Sequence, residues 1–166
     1  TKKNVNYASI TKEDDVAGLL RVIDSYRGSY EVGIALKMAP YVFLRPIELA
    51  GLLWDEVDLA GRLIRINSER MKMRKTHLVP MSDQVHNMLE NLKQIKGNSK
   101  FVFTSLIKGV DRHITPDSLR AGLRRLGLTK DEITTHGFRH MASTMLYEME
   151  YRSELVEIQL AHTERN

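Results

Sequence analysis

Val16, Leu19, Leu20 and Ile23 repeat at i, i+3, i+4 and i+7, the spacing that gathers four side chains on one stripe of an α-helix. Thr11 stands before them at a capping position with Asp14 three residues on, so this helix is expected to open at Thr11. A second stripe of Val32, Ala35, Leu36 and Ala39 predicts a helix from about Tyr30 to Ala39, which Pro40 ends or kinks. Val85, Met88, Leu89 and Leu92 mark a helix that Ser82 caps and that runs to about Ile95, before Gly97-Asn98 stops it. Leu119, Leu123 and Leu126 mark another, opened by Thr115-Pro116 and closed by Gly127. Two more helices are expected further on. One covers 136–149; the other is capped by Ser153, packs through Leu155, Ile158 and Leu160, and ends near Leu160-Ala161-His162.

Between the second and third stripes the pattern shortens. Trp54 to Leu59 reads as a strand, Ala60-Gly61 as a turn, Arg62 to Ile66 as a second strand and His77 to Pro80 as a third. Phe101-Val102-Phe103 reads as a short buried segment, followed by a polar loop to His113. Residues 1–10 form a polar leading segment. The expected architecture is mainly α (α+β), with one small three-stranded antiparallel sheet and neither internal repeats nor low-complexity runs.

At 166 residues the chain is long enough for one domain with its own core. It has no cysteine, which excludes disulfides and cysteine-ligated zinc and fits an intracellular setting. No apolar run approaches the roughly 20 residues of a membrane-spanning helix. A net charge of +4 and a pI near 9.3 permit an anionic partner without demanding one. The chain opens at Thr1 without a Met and stops at Asn166, so an excised domain of a longer protein is expected.

Three stretches carry candidate chemistry. In Thr135-His136-Gly137-Phe138-Arg139-His140, an imidazole and a guanidinium sit three residues apart at the mouth of a helix. Neutral His can exchange a proton near pH 7, and Arg offers a planar fork of donors matched to phosphate. In Leu44-Arg45-Pro46-Ile47-Glu48, Pro46 suits the first position of a short helix. That puts Arg45 at the positive end of the helix dipole, with Glu48 one turn on to hold it, unless the two form only a surface ion pair. The third stretch is Ser68 to Thr76, a hairpin tip with four cations in six residues, Arg70, Lys72, Arg74 and Lys75. It reads as a solvated or phosphate-touching loop, or as one with a single catalytic lysine. Arg120, Arg124 and Arg125 lie off the leucine stripe of their helix, as on a helix that meets DNA or simply solvent. His136 and His140, four apart, leave a metal reading open, but no accompanying carboxylate cluster supports it. His140 is expected near the pocket, and His77, His86 and His113 at the surface or at strand ends.

Arg45 with Glu48, Lys72 before a Val-Pro, His136-x-x-Arg139 and Leu160-Ala161-His162 follow one another in the order found in the tyrosine recombinases, the phage integrase family, whose catalytic domain this chain resembles along its whole length. The phrases Glu-Arg-Met-Lys-Met-Arg at 69–74, His-Gly-Phe-Arg at 136–139 and Leu-Ala-His-x-Glu-Arg-Asn at 160–166 resemble the subgroup of prophage and genomic-island integrases like that of satellite phage P4. The resemblance implies that Arg45 and Arg139 bind the non-bridging oxygens of the scissile phosphate. It makes Lys72 the general acid for the leaving 5′ oxygen, His136 a proton-transfer assistant and His162 a hydrogen-bond donor to phosphate, with Glu48 in support.

It also implies no cofactor, a double-stranded DNA partner, a homotetramer on DNA in the full protein, a monomeric isolated domain, and action in the bacterial cytoplasm at the nucleoid. The family's nucleophile is a Tyr beyond the last His. Tyr147 and Tyr151 precede His162 and do not match it, so the nucleophile is expected beyond Asn166, the fragment is expected not to cleave DNA, and the N-terminal DNA-clamping domain is expected elsewhere in the parent protein. A type IB topoisomerase or telomere resolvase would share such a pocket, and a DNA-binding module without chemistry is the alternative of a different class. All five residues must converge on one basic pocket.

Overall fold

The computed structural model describes residues 10–105, 107 and 109–161. Seven α-helices occur among them: α1 (Glu13–Asp24), α2 (Tyr30–Val42), α3 (Pro46–Ala50), α4 (Asp83–Ile95), α5 (Pro116–Arg125), α6 (Gly137–Glu148) and α7 (Ser153–Gln159). Three short strands, β1 (Val57–Asp58), β2 (Leu63–Ile66) and β3 (His77–Pro80), form one antiparallel sheet in the order β1-β2-β3. The register pairs Val57 with Ile64, and Ile64 in turn with Val79. No described helix is long and apolar enough to cross a membrane.

α2 is the hub. It is apolar nearly all round and buries Val32, Ile34, Ala35, Leu36, Met38, Ala39 and Val42, as a helix enclosed by others must. α1, α4, α5 and α6 all pack on it. Phe103, Phe138, Leu49, Leu52, Ile64 and Ile66 fill the space between helices and sheet. Ser29 fixes the start of α2 by accepting the Val32 N–H at 3.2 Å, and Ser82 and Thr115 cap α4 and α5 in the same way.

Several sequence expectations need correction. α1 begins after Lys12, which makes no side-chain cap. Glu13, Asp14 and Asp15 instead place negative charge against the helix dipole. Pro40 does not end α2, because burial of Met38, Ala39 and Val42 carries the helix past the missing N–H to a left-handed Phe43 (φ 56°). The stretch expected as a strand from Trp54 is a 3-10 turn over Trp54–Glu56. There the Glu56 carboxylate accepts the Leu53 N–H at 3.0 Å and curls the chain, leaving only two residues for β1. Arg152, not Ser153, precedes α7. That helix buries Val156 and Leu160 at i, i+4, while Leu155 and Ile158 face outward. Of the histidines, His77 opens β3, at a strand end as expected, but is buried; His86 and His113 are half-buried and His140 is exposed.

Candidate active site

The left-handed turn at Phe43 points the chain back through buried Leu44 into α3, so Arg45 becomes the residue before a helix whose first position is Pro46. Glu48, 2% exposed, accepts the Arg45 backbone N–H at 2.9 Å with Oε2 and the Arg45 guanidinium at 3.1 Å with Oε1. One buried carboxylate thereby fixes both ends of Arg45, whose side chain stays 17% exposed and reachable from one side. The surface-pair alternative for Glu48 is excluded by its burial.

Arg139 enters from α6. Its guanidinium donates to the Phe43 carbonyl and, at 2.7 Å, to the Leu160 carbonyl, so it joins the approach to α3 with the end of α7. Burial, and then the charge of Arg45, pull its pKa down to about 10 against the attraction of Glu48. It remains a cation at neutral pH. His136, at the start of α6, is pushed below the ordinary histidine value by burial and then by the charges of Arg139, Arg45 and Lys72. An imidazole neutral at pH 7 and ringed by three cations can take or relay a proton without adding to the local charge. Lys72 lies exposed on the turn between β2 and β3, within electrostatic reach of this group.

Arg45, Lys72 and Arg139 therefore lie within electrostatic reach of His136, the four residues coming from three segments: the start of α3, the β2–β3 turn and the start of α6. His162 lies outside the described residues; the backbone just before it, at Leu160, is held by Arg139. A cleft of about 260 Å³ opens beside the group and is lined by Arg45, Ile47, Pro116, Arg120, Thr135 and His136 among others. Arg45 and His136 on the wall of this cleft, with Arg139 and Lys72 within electrostatic reach of His136, suit a tetrahedral or pentacoordinate oxyanion of phosphorus. Among the described residues, no group of three or more His, Cys, Asp or Glu is placed to hold a metal ion.

The remaining candidates divide. Arg74 and Lys75 are exposed on the same turn as Lys72, and Arg120 sits on the rim of the cleft, paired with Asp117 at 2.8 Å. Arg70 and Arg124, expected to face DNA, turn inward. Arg70 is bound to the Glu56 carboxylate and the Glu48 carbonyl. Arg124 donates to the Leu128 carbonyl and, at 3.1 Å, to the Ile133 carbonyl, tying down the loop after α5.

His77 stands at a strand end, as expected, but not at the surface. It is 3% exposed, and its Nε2–H donates to the Gln159 carbonyl at 2.9 Å, while Nδ1 is buried with no hydrogen-bond partner among the described residues. His77 and Arg139 thus grip consecutive carbonyls at the end of α7. The alternation of β3, which puts His77 on the same inward face as Val79, was the available signal. Burial lowers the His77 pKa, with Arg139 and Arg45 adding to the shift and the Gln159 bond and Glu48 opposing it. The unfolded chain therefore binds this proton more readily than the folded one. Stability is unaffected well above the unfolded value of 6.5 and falls as pH drops below it. Thermal melts between pH 7.5 and 5 should show a falling Tm, with a shallower slope for His77→Gln.

A model of the phage integrase family matches residues 10–166, and the chain belongs to that family. Prophage integrase IntS of Escherichia coli (strain K12) is 37% identical over 150 residues, an alignment covering 90% of this chain and 38% of that protein. The integrase of Enterobacteria phage P4 is 35% identical over 156 residues, covering 86% and 35%. The chain thus spans under two fifths of the length of these relatives. Its fold matches that of the Tn1549 transposon integrase solved with circular intermediate DNA, with a TM-score of 0.77 at 17% identity over 99% of this chain and 62% of that one.

Proposed function

We propose that this chain is the phosphate-activating part of a tyrosine site-specific recombinase that integrates or excises a prophage or genomic island. The observation that carries the reading is the convergence of Arg45, Arg139, His136 and Lys72 beside a buried Glu48 that orients Arg45. Arg45 and Arg139 bind the two non-bridging oxygens of the scissile phosphate and stabilise the charge that grows there as phosphorus becomes pentacoordinate. A Tyr hydroxyl from the segment beyond Asn166 attacks phosphorus in line, with His136 assisting its deprotonation and His162 donating to the phosphate. The P–O5′ bond breaks, Lys72 gives its proton to the leaving oxygen, and a 3′-phosphotyrosine link remains. Attack by a 5′ hydroxyl of a second strand reverses these steps and completes strand transfer. No step draws on a cofactor.

Double-stranded DNA is the partner, engaged by a homotetramer of the full protein, while the isolated domain is monomeric and does not cleave. The site of action is the bacterial cytoplasm. Arg74, Lys75 and Arg120 contact flanking phosphates. Replacing Arg74 with Ala should weaken DNA binding evenly across sequences and reduce the slope of log K against log salt by about 1. Arg124→Ala should leave that slope unchanged and lower the thermal stability instead. The function itself is tested by incubating the full-length protein with paired attachment-site DNAs without added metal. Recombinant junctions are expected; intact binding with no junctions under any pairing of sites would overturn the reading.

A further inference from the structure

A second ion pair lies behind the site, and no step of the reaction uses it. Glu56 is 3% exposed, and both its carboxylate oxygens accept from the Arg70 guanidinium, while Oε2 also takes the Leu53 N–H at 3.0 Å. The other arm of Arg70 donates to the Glu48 carbonyl at 3.2 Å. One guanidinium thereby ties together the 3-10 turn before β1, the short 3-10 turn Ser68–Arg70 after β2, and α3. The path it crosses is cleared by Gly51: a Cβ there would lie 3.1 Å from Arg70 Nη2 and 3.3 Å from the Ile47 carbonyl oxygen.

Burying two charges is a poor way to gain stability, since an apolar pair of similar volume holds segments together as well or better. What a guanidinium held at both amino groups, Nη1 by Glu56 and Nη2 by the Glu48 carbonyl, supplies is direction. Lys72 follows Arg70 by two residues and the buried Met71 by one, at the start of an exposed run to Thr76, and Glu48 is the residue that orients Arg45. We propose that Arg70 and Glu56 are positioning residues that set the loop bearing Lys72 against the helix bearing Glu48, so that proton donor and phosphate clamp are held in register. The proposal rests on the reading of Lys72 as general acid.

The test is a comparison of two substrates cleaved by the full-length protein: ordinary attachment-site DNA, and the same DNA with sulfur in place of the scissile 5′ bridging oxygen. A thiolate leaves without being protonated, so the second substrate needs no general acid. Arg70→Gln should slow cleavage of ordinary DNA by about 100-fold or more, within the range of a lost general acid, yet cleave the sulfur substrate within a few-fold of the unaltered protein. Lys72→Ala should behave the same way. Arg70→Lys keeps a charge beside Glu56 but cannot also reach Glu48, and Gly51→Ala crowds the guanidinium. Both should show a smaller loss with the same rescue, which keeps the test valid if Arg70→Gln folds poorly. Equal slowing on both substrates, or no slowing, by Arg70→Lys and Gly51→Ala alongside a rescued Lys72→Ala would overturn the positioning role alone. A Lys72→Ala variant that sulfur fails to rescue would overturn the general-acid reading, and the proposal with it.

Discussion

Arg139→Ala is expected to lower DNA cleavage by about 1,000-fold, at the upper end of what loss of one preorganised oxyanion donor costs, and to destabilise the fold as well. The two effects share a cause. The guanidinium whose charge stands beside Arg45 also satisfies the Phe43 and Leu160 carbonyls, so its removal leaves two buried acceptors unpaired at about 1–3 kcal/mol each. Arg139→Lys separates them. It keeps a positive charge, so DNA binding at low salt should persist, but an ammonium cannot span both carbonyls and the phosphate in the fixed plane that a guanidinium provides. Cleavage kinetics together with urea unfolding of both variants check this: a large loss of cleavage in each, and a larger loss of stability for Ala.

Glu48→Ala should be the most destabilising single change in the site. It removes the acceptor for the Arg45 N–H and guanidinium, and it leaves Arg45 and Arg139 facing one another without their shared counter-charge. Breaking a buried pair from one side costs about 3–5 kcal/mol, a large part of the 5–15 kcal/mol that holds an ordinary domain folded. Glu48→Gln retains an oxygen that can accept the Arg45 N–H, so a smaller fall in Tm is expected, with cleavage still reduced because Arg45 is no longer anchored by charge. A Glu48→Ala protein that melts like the unaltered one would contradict the assignment of this carboxylate as the organiser of the clamp.

Much of this arrangement was legible in the sequence because it is local. Pro46 at the first position of α3 fixes where Arg45 must stand, and the i, i+3 spacing to Glu48 permits the bond that forms. Ser82, Thr115 and the leucine stripes announce α4 and α5 for the same reason. What could not be read depends on partners far away in the chain. Arg139 meets a carbonyl 96 residues earlier, and His77 meets one 82 residues later. Arg70 finds Glu56 across the sheet, and no local pattern distinguishes it from Arg74, which stays in solvent. Leu155 and Ile158 show the converse: at helical spacing they read as core, and only the docking of α7 through Val156 and Leu160 puts them outside. A basic loop and a leucine stripe each state a composition, and which members turn inward is settled by tertiary contacts.

The central claim is that Arg45, Lys72, His136 and Arg139 activate a DNA phosphate for attack by a Tyr of the same protein. It is tested most directly by mixing the full-length protein, without added metal, with a nicked attachment-site duplex whose cleavage releases a short strand and so prevents religation, then resolving the products under denaturing conditions. The account predicts a covalent protein–DNA band that disappears when the Tyr that carries the DNA link becomes Phe and when Arg139 becomes Ala. A folded, DNA-binding protein that forms no such band, or one whose band survives the loss of both Arg45 and Arg139, would contradict it.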